Sequence, residues 1–287
     1  MDNMSFCPQT IEVLKDILND ITTDIIKEGR PIIIVEEYQW MVETLSLMAK
    51  QVGLCESCVL LLENGMEQEA FLLVRSQFNN MLWIKYICDF NNSEHIKEYI
   101  YQPYISQIKV NKNLKKMLEN FESDLDNRFD KASMLLQLDE AINRNQTILK
   151  ENNIPNKQKT VAELAKQNGL LFGTYITLYN DASKFEHSDV EKIRKYRKRI
   201  TNEYNENEIF SIDMSTSDKT IWMSVLYNSL MNLYLSYESF FTRITKHEEQ
   251  LFNPTYPNGK SAYSKNDVEK ILVKLKVCID FFENERN

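Results

Sequence analysis

The chain has 287 residues, 43% hydrophobic and 26% charged, and carries a formal net charge of −8. It is too apolar for a disordered chain and long enough to bury a core without disulfides or metals. The acidic balance excludes a global field that would draw it onto nucleic acid or an anionic membrane, so any such contact must come from a local patch. Only 6 Gly and 6 Pro punctuate it, too few for a sandwich or barrel that turns every ~8–12 residues, or for Gly-rich phosphate loops.

Helical periodicity runs through the chain. Ile11, Leu14, Ile17, Leu18, Ile21 and Ile25 recur at three- and four-residue steps and predict an amphipathic helix ending near Gly29-Arg30-Pro31. A second helix is predicted from about Val35 to Glu63, broken at Asn64-Gly65, where glycine suits the left-handed conformation after a helix. The third, Met66 to Phe90, is apolar around nearly its whole circumference, from Ala70, Phe71 and Val74 to Met81, Trp83 and Ile87. Such a helix is buried among others. Asn91-Asn92-Ser93 is expected to cap a fourth.

More polar amphipathic segments follow around Tyr99–Phe121 and Leu125–Leu149, then a loop at 151–156. Thr160-Val161-Ala162-Glu163 has capping-box spacing and opens a helix to about Gly169. Leu170 to Phe185 reads as an apolar helix, followed by a basic run and a polar segment, Thr201–Ser217. Ile221–Ile244 is the second strongly apolar helix, and Ser264 caps a last one to about Glu283. The expectation is an all-α helical bundle, one domain over 1–287 with a weak boundary near 151–158, closing around both apolar helices.

Compartment follows from what is missing. The opening MDNMSFCPQT has no basic region leading into an apolar one, so no secretory signal is expected. The densest apolar stretches, 59–62 and 70–74, fall short of the ~18 residues of a membrane span. Five cysteines without a paired framework fit a reducing cytoplasm. A cytoplasmic protein with no membrane partner is expected.

Four features invite chemistry. Arg75 places an always-charged guanidinium on the apolar third helix, with Ser76 beside it and Asn79 one turn on. It either bridges to a carboxylate and fixes packing, or opens onto a cleft. His187 is one of three histidines, set in a Tyr179–Ser188 segment. It either bonds terminal carbonyls at a helix end or exchanges protons near neutral pH. The run Lys192-Ile193-Arg194-Lys195-Tyr196-Arg197-Lys198-Arg199 sets six positive charges around a tyrosine. It is either a solvated face or a phosphate-binding patch with a ring for stacking. Cys55-Glu56-Ser57-Cys58 has CxxC spacing, but it lies in a helical pattern with no second pair, whereas zinc needs four ligands and a thioredoxin-like site needs its sheet. HExxH, Walker A, GxSxG, kinase and Glu-x-x-His patterns do not occur. No metal and no cofactor is expected.

The stretch Leu61–Asn79, reading LLENGMEQEAFLLVRSQFN, and the later Tyr179–Ser188 resemble the hallmarks of a bacterial domain-of-unknown-function family, number 5677. Its members show a small-residue turn, an apolar helix bearing Arg-Ser with a carboxylate one turn later, and a distant Tyr…Ser…His. Asn79 stands here where that carboxylate is expected. The family is similar in outline to the HEPN superfamily, helical bundles that often act as metal-independent ribonucleases in toxin–antitoxin and antiphage systems. The HEPN pattern of Arg, a polar residue and a nearby His on one helix does not occur upstream of His187, so the arginine would come from another helix, as Arg75.

The resemblance then implies an endoribonuclease or RNA-directed effector. His187 would be its acid/base and Arg75 its electrostatic clamp. Asn79, Lys184, Lys192, Arg194, Lys195 and Arg197 would bind substrate. Single-stranded RNA, a second copy of the chain and a protein encoded by a neighbouring gene are the expected partners. The alternative is a non-catalytic interaction or sensor module that dimerises or binds a partner protein. A third reading is a ligand-binding bundle with a pocket lined by Trp83, Tyr86, Trp222 and Tyr227.

Overall fold

A computed structural model describes residues 8–34, 38–89, 94–120, 130–179, 181–183, 197–200, 209–212, 219–247, 257–260 and 262–286. The chain is an all-α helical protein, as its periodicity predicts, with one small antiparallel hairpin. It divides into two compact units: Met1–Asp89 with Ala165–Asn287, and the intervening Phe90–Leu164.

In the larger unit, α1 (Pro8–Asp20) continues through a π-helical turn, Ile21–Ile26, and stops at Lys27 in the left-handed conformation. Leu14, Ile17, Leu18, Ile21 and Ile25 are fully buried along it, which is the predicted stripe. Helix α2 (Gln39–Glu63) starts later than its periodicity suggests, and 35–37 lie outside the described residues. It closes as expected, with Gly65 at φ 69°. The Gly65 N–H donates to the Leu62 carbonyl and the Met66 N–H to that of Leu61, at 3.2 and 2.9 Å. This Schellman pattern satisfies carbonyls the helix end would otherwise strand.

Helix α3 (Glu67–Cys88) begins directly after this turn and packs chiefly against α2 and the long α8 (Lys219–His247). The two apolar helices expected to share a core do share it. Phe78 and Met81 of α3 are fully buried, as are Met48 of α2 and Leu230, Tyr237 and Phe240 of α8. Helix α9 (Lys265–Arg286), capped by Ser264 Oγ accepting from the Asp267 N–H at 3.2 Å, lies against α8 and α1. The Tyr263 hydroxyl donates to the Ile25 carbonyl at 2.9 Å, and Lys274 pairs with Asp20.

By length and composition α2 is long and apolar enough to cross a membrane, which reading its short apolar runs one by one did not reveal. Its buried face is that of a core helix, however, and it includes the polar Thr44 and Gln51. Gln51 Oε1 accepts from Asn80 Nδ2 at 2.9 Å, and the same amide reaches the Leu47 carbonyl at 2.7 Å. Asn80 and Gln77 thus put polar groups inside α3's buried surface; their amide nitrogens are bonded, while Gln77 Oε1 and Asn80 Oδ1 have no hydrogen-bond partner.

The smaller unit is a helical hairpin, α4 (Glu94–Asn120) and α5 (Lys131–Glu151), with α6 (Val161–Ala165) after it. Its core is small: Ile105, Ile108, Ile142, Leu149 and Ile154, edged by Tyr101 and Tyr104. Lys115 pairs with Asp139 at 2.6 Å and Lys159 with Glu98 at 2.7 Å. The boundary expected near 151–158 falls in the turn after α5, inside this unit. The predicted capping box forms reciprocally: Glu163 N–H donates to Thr160 Oγ1 at 3.2 Å, and Thr160 N–H to Glu163 Oε2 at 2.9 Å. Its helix ends at Ala165, short of Gly169. The proposed cap 91–93 lies outside the described residues.

Between α6 and α8 the larger unit carries α7 (Gly169–Thr174), a π-helical turn (Tyr175–Tyr179), and strands β1 (Arg197–Ile200) and β2 (Ile209–Ile212). Asn168 Oδ1 caps α7 by accepting from the N–H groups of Leu170 and Leu171. The strands pair antiparallel, with Arg197 opposite Ile212 and Ile200 opposite Ile209. The polar context of 201–217 hides these strands from a periodicity reading, although Ile200, Ile209, Phe210 and Ile212 are strand-forming residues.

Candidate functional site

Arg75 lies on α3 nine residues into the helix and is half-buried. Its Nη2 donates to the Tyr179 hydroxyl at 2.9 Å, and its guanidinium carbon sits 4.4 Å from the centre of the same ring. The guanidinium therefore lies over the aromatic face, whose negative potential stabilises it, while one N–H reaches the ring's polar edge. The hydroxyl and the ring face of Tyr179 both orient it.

Tyr179 ends the π-helical turn, and behind it stands a row of rings. Tyr175 stacks on Tyr179 with centroids 4.9 Å apart and planes 29° from parallel. Phe172 stacks on Tyr175 at 6.1 Å and 11°. Lys166 Nζ lies 5.5 Å from the Phe172 ring centre. The spacing, i, i+3 and i+7, keeps all three rings on one side of the segment, and Leu171 and Leu178 are buried. The result is three near-parallel aromatic planes with a cation at each end.

Asn79, one turn beyond Arg75, buries its Oδ1 without a hydrogen-bond partner, so it leaves an acceptor beside the arginine's helix face. Ser76 is exposed. His187, Lys184, Lys192, Arg194 and Lys195 lie outside the described residues, as does the side chain of Arg197, whose backbone begins β1. The structure thus joins Arg75 to the first residue of the Tyr179–Ser188 segment.

The remaining features have structural partners. Cys55 and Cys58 are buried in α2. Burial pushes the Cys58 thiol up to about 11 and the Cys55 thiol higher still, the opposite of an activated thiolate. Cys58 donates to the Ala70 carbonyl at 3.5 Å and accepts from Gln77 Nε2 at 3.4 Å. Trp83 and Tyr86 meet edge to face at 5.8 Å. Tyr227 instead turns to α9, stacking on Phe282 at 6.0 Å and donating to Glu283 Oε1 at 2.9 Å.

Sequence reasoning missed two things. Phe172 and Tyr175 lie in the stretch that reads as an apolar helix, and their spacing with Tyr179 singles out a ring row that the reading did not name. Arg243, inside the second apolar helix, is 7% exposed, lies 4.0 Å from the Trp40 ring centre, and donates to the Ile87 carbonyl at the end of α3. Burial lowers its proton affinity. It acts as a side-chain cap on the α3 C-terminus, where positive charge is favoured.

No curated protein and no solved structure matches the chain. A family model described as a family of unknown function (DUF5677) matches residues 44–207, more than half of the sequence and inclusive of both Arg75 and Tyr179. The chain belongs to that family.

Proposed function

We propose that this protein is a HEPN-like, metal-independent endoribonuclease or RNA-directed effector, cytoplasmic, and acting in antiphage defence or a toxin–antitoxin pair. The observation that supports this reading is the Arg75–Tyr179 contact. It ties the arginine to the segment that carries His187, so the two stretches behind the family resemblance meet.

In the proposed reaction His187 takes the proton of a ribose 2′-OH. The 2′-oxygen then attacks the adjacent phosphorus, and the bond to the 5′-oxygen breaks. The imidazolium returns its proton to the departing 5′-oxygen, leaving a cyclic phosphate and a 5′-hydroxyl. Arg75, held by Tyr179, stabilises the charge that builds on the phosphorane. Lys184 and the 192–199 run hold flanking phosphates.

The test is expression in a bacterial host, combined with cleavage of RNA by purified protein in EDTA. Arg75→Ala and His187→Ala should each relieve growth arrest and lower cleavage by roughly 10²-fold or more. Cleavage that survives both substitutions ends this mechanism.

A second reading, a self-associating module, is favoured by α4. Ile100, Val110, Leu114 and Met117 are exposed along it, and the last three follow four- and three-residue steps, as in a helix-pairing seam. The helix carries Glu94 and Glu98 with Lys97 in its first half, and Lys109, Lys112, Lys115 and Lys116 before Glu119 in its second, so an antiparallel second copy would set a mainly basic stretch against a mainly acidic one. A full-length protein that sediments as a monomer at micromolar concentration, unchanged by Leu114→Glu, rules this reading out.

A further inference from the structure

The segment 169–179 is apolar but poorly covered. Leu170 is 85% exposed, Ile176 is also exposed, and Phe172, Tyr175 and Tyr179 are only half-buried. An amphipathic helix whose purpose is packing turns such residues inward. Here the chain holds three ring planes in a near-parallel row at a surface, and part of that row rides on a π-helical turn, a distortion frequent at functional sites.

The chemistry of the row narrows its occupant. A protein or lipid partner would be met by a plain apolar patch. This row has a cation over the ring at each end, Lys166 at Phe172 and Arg75 at Tyr179. Flat aromatic surfaces alternating with positive charge match a polymer of flat bases joined by phosphates. The match does not depend on the protein's overall charge of −8, because stacking and two local cations act at short range.

We infer that Phe172, Tyr175 and Tyr179, with Lys166 and Arg75 at the ends, form a stacking platform for unpaired bases of a single RNA strand. The inference rests on the RNA-directed reading and specifies where the strand lies. Bases insert against the outer or edge-exposed ring faces, and Lys166, freed from Phe172, moves to a phosphate. Arg75 then serves both the platform and the proposed scissile phosphate. Paired RNA, with its bases stacked internally, is excluded.

The test is fluorescence anisotropy on the full chain with a labelled oligoadenylate of about 12 nucleotides, within the footprint of one stacking platform. An abasic ribose-phosphate strand and a duplex of the same length are the comparisons. Wild-type protein should bind the oligoadenylate about tenfold or more tightly than either. Phe172→Leu with Tyr175→Leu should erase that preference, whereas Tyr175→Phe, which keeps the ring, should retain it. If the double variant binds oligoadenylate like wild type, the platform is overturned while the RNA-directed reading stands. Wild-type protein that binds no strand, with bases or without, overturns both. Should the double variant fail to fold, equal wild-type affinity for the oligoadenylate and abasic strands still overturns the platform.

Discussion

Helix α8 and the segment 169–179 look alike in sequence, both apolar and rich in aromatic residues, yet they end in opposite surroundings. Helix α8 buries Trp222, Leu226, Leu230, Leu233, Tyr237 and Phe240 against its neighbours. The shorter segment buries Leu171 and Leu178 and leaves its rings at the surface. What separates them is punctuation and small polar residues. Helix α8 runs 29 residues without a break, and Asn232 and Ser236 are buried on it, with Ser236 Oγ donating to the Asn232 carbonyl at 2.7 Å. Ser236 thus satisfies its hydroxyl within its own helix, while Asn232 Nδ2 is buried without a hydrogen-bond partner. Segment 169–179 starts after the turn at Asn168 and changes from α- to π-helical winding at Tyr175, so its side chains do not keep to one regular stripe. Apolar composition alone therefore does not say whether a helix is covered.

The contrast can be tested by stability. Phe78→Ala in the shared core should cost about 3–5 kcal/mol in urea unfolding. Comparable losses from Phe172→Ala would mean that the platform is core after all. Arg243→Ala comes next, at roughly 3 kcal/mol, because it removes the cap on the α3 carbonyls and leaves the Ile87 carbonyl buried without its donor. Gly65→Ala should cost about 1 kcal/mol, since φ 69° strains any side chain.

Arg75→Ala should lower stability by only about 1 kcal/mol, the scale of a partly exposed cation–ring contact, while abolishing RNA cleavage. A large stability loss would return Arg75 to a packing role. The smallest effect lies in the other unit. Lys157 and Thr160 hold the Glu163 carboxyl down at about 2. A depressed carboxylate stabilises the fold above its ordinary titration range and loses that contribution as pH falls toward its folded value. The amide signals of 160–163 should therefore lose protection between about pH 4.5 and 2, without global unfolding. Glu163→Gln should remove that pH dependence.

Much of the fold was legible because its signals are local. Isoleucines at three- and four-residue steps marked α1, Asn64-Gly65 marked the end of α2, and Thr160 and Glu163 marked the start of α6. Each of these is set by a few consecutive residues and a hydrogen bond or a dihedral preference. The candidate site was legible only in part. Arg75 stood out as a charge among apolar residues, but Tyr179 is 104 positions away, and no local rule brings the two together. Phe172 and Tyr175 have the same spacing whether buried or exposed, so the pattern is silent on which holds. Arg243 was hidden inside the apolar stretch 221–244, and the α3 carbonyl it caps comes from another part of the chain.

The Schellman turn at Gly65 also acts as an angular index. It locks the start of α3 to the end of α2, and Arg243 clamps the far end at Ile87, so α3 cannot roll about its own axis. Each residue advances a helix by about 100°. One residue inserted between Met66 and Val74 would therefore barely alter the composition, yet point Val74 at Tyr179 in place of the guanidinium. Natural length variation in this family should spare the short interval from Gly65 to Arg75 and collect in the connections beyond it.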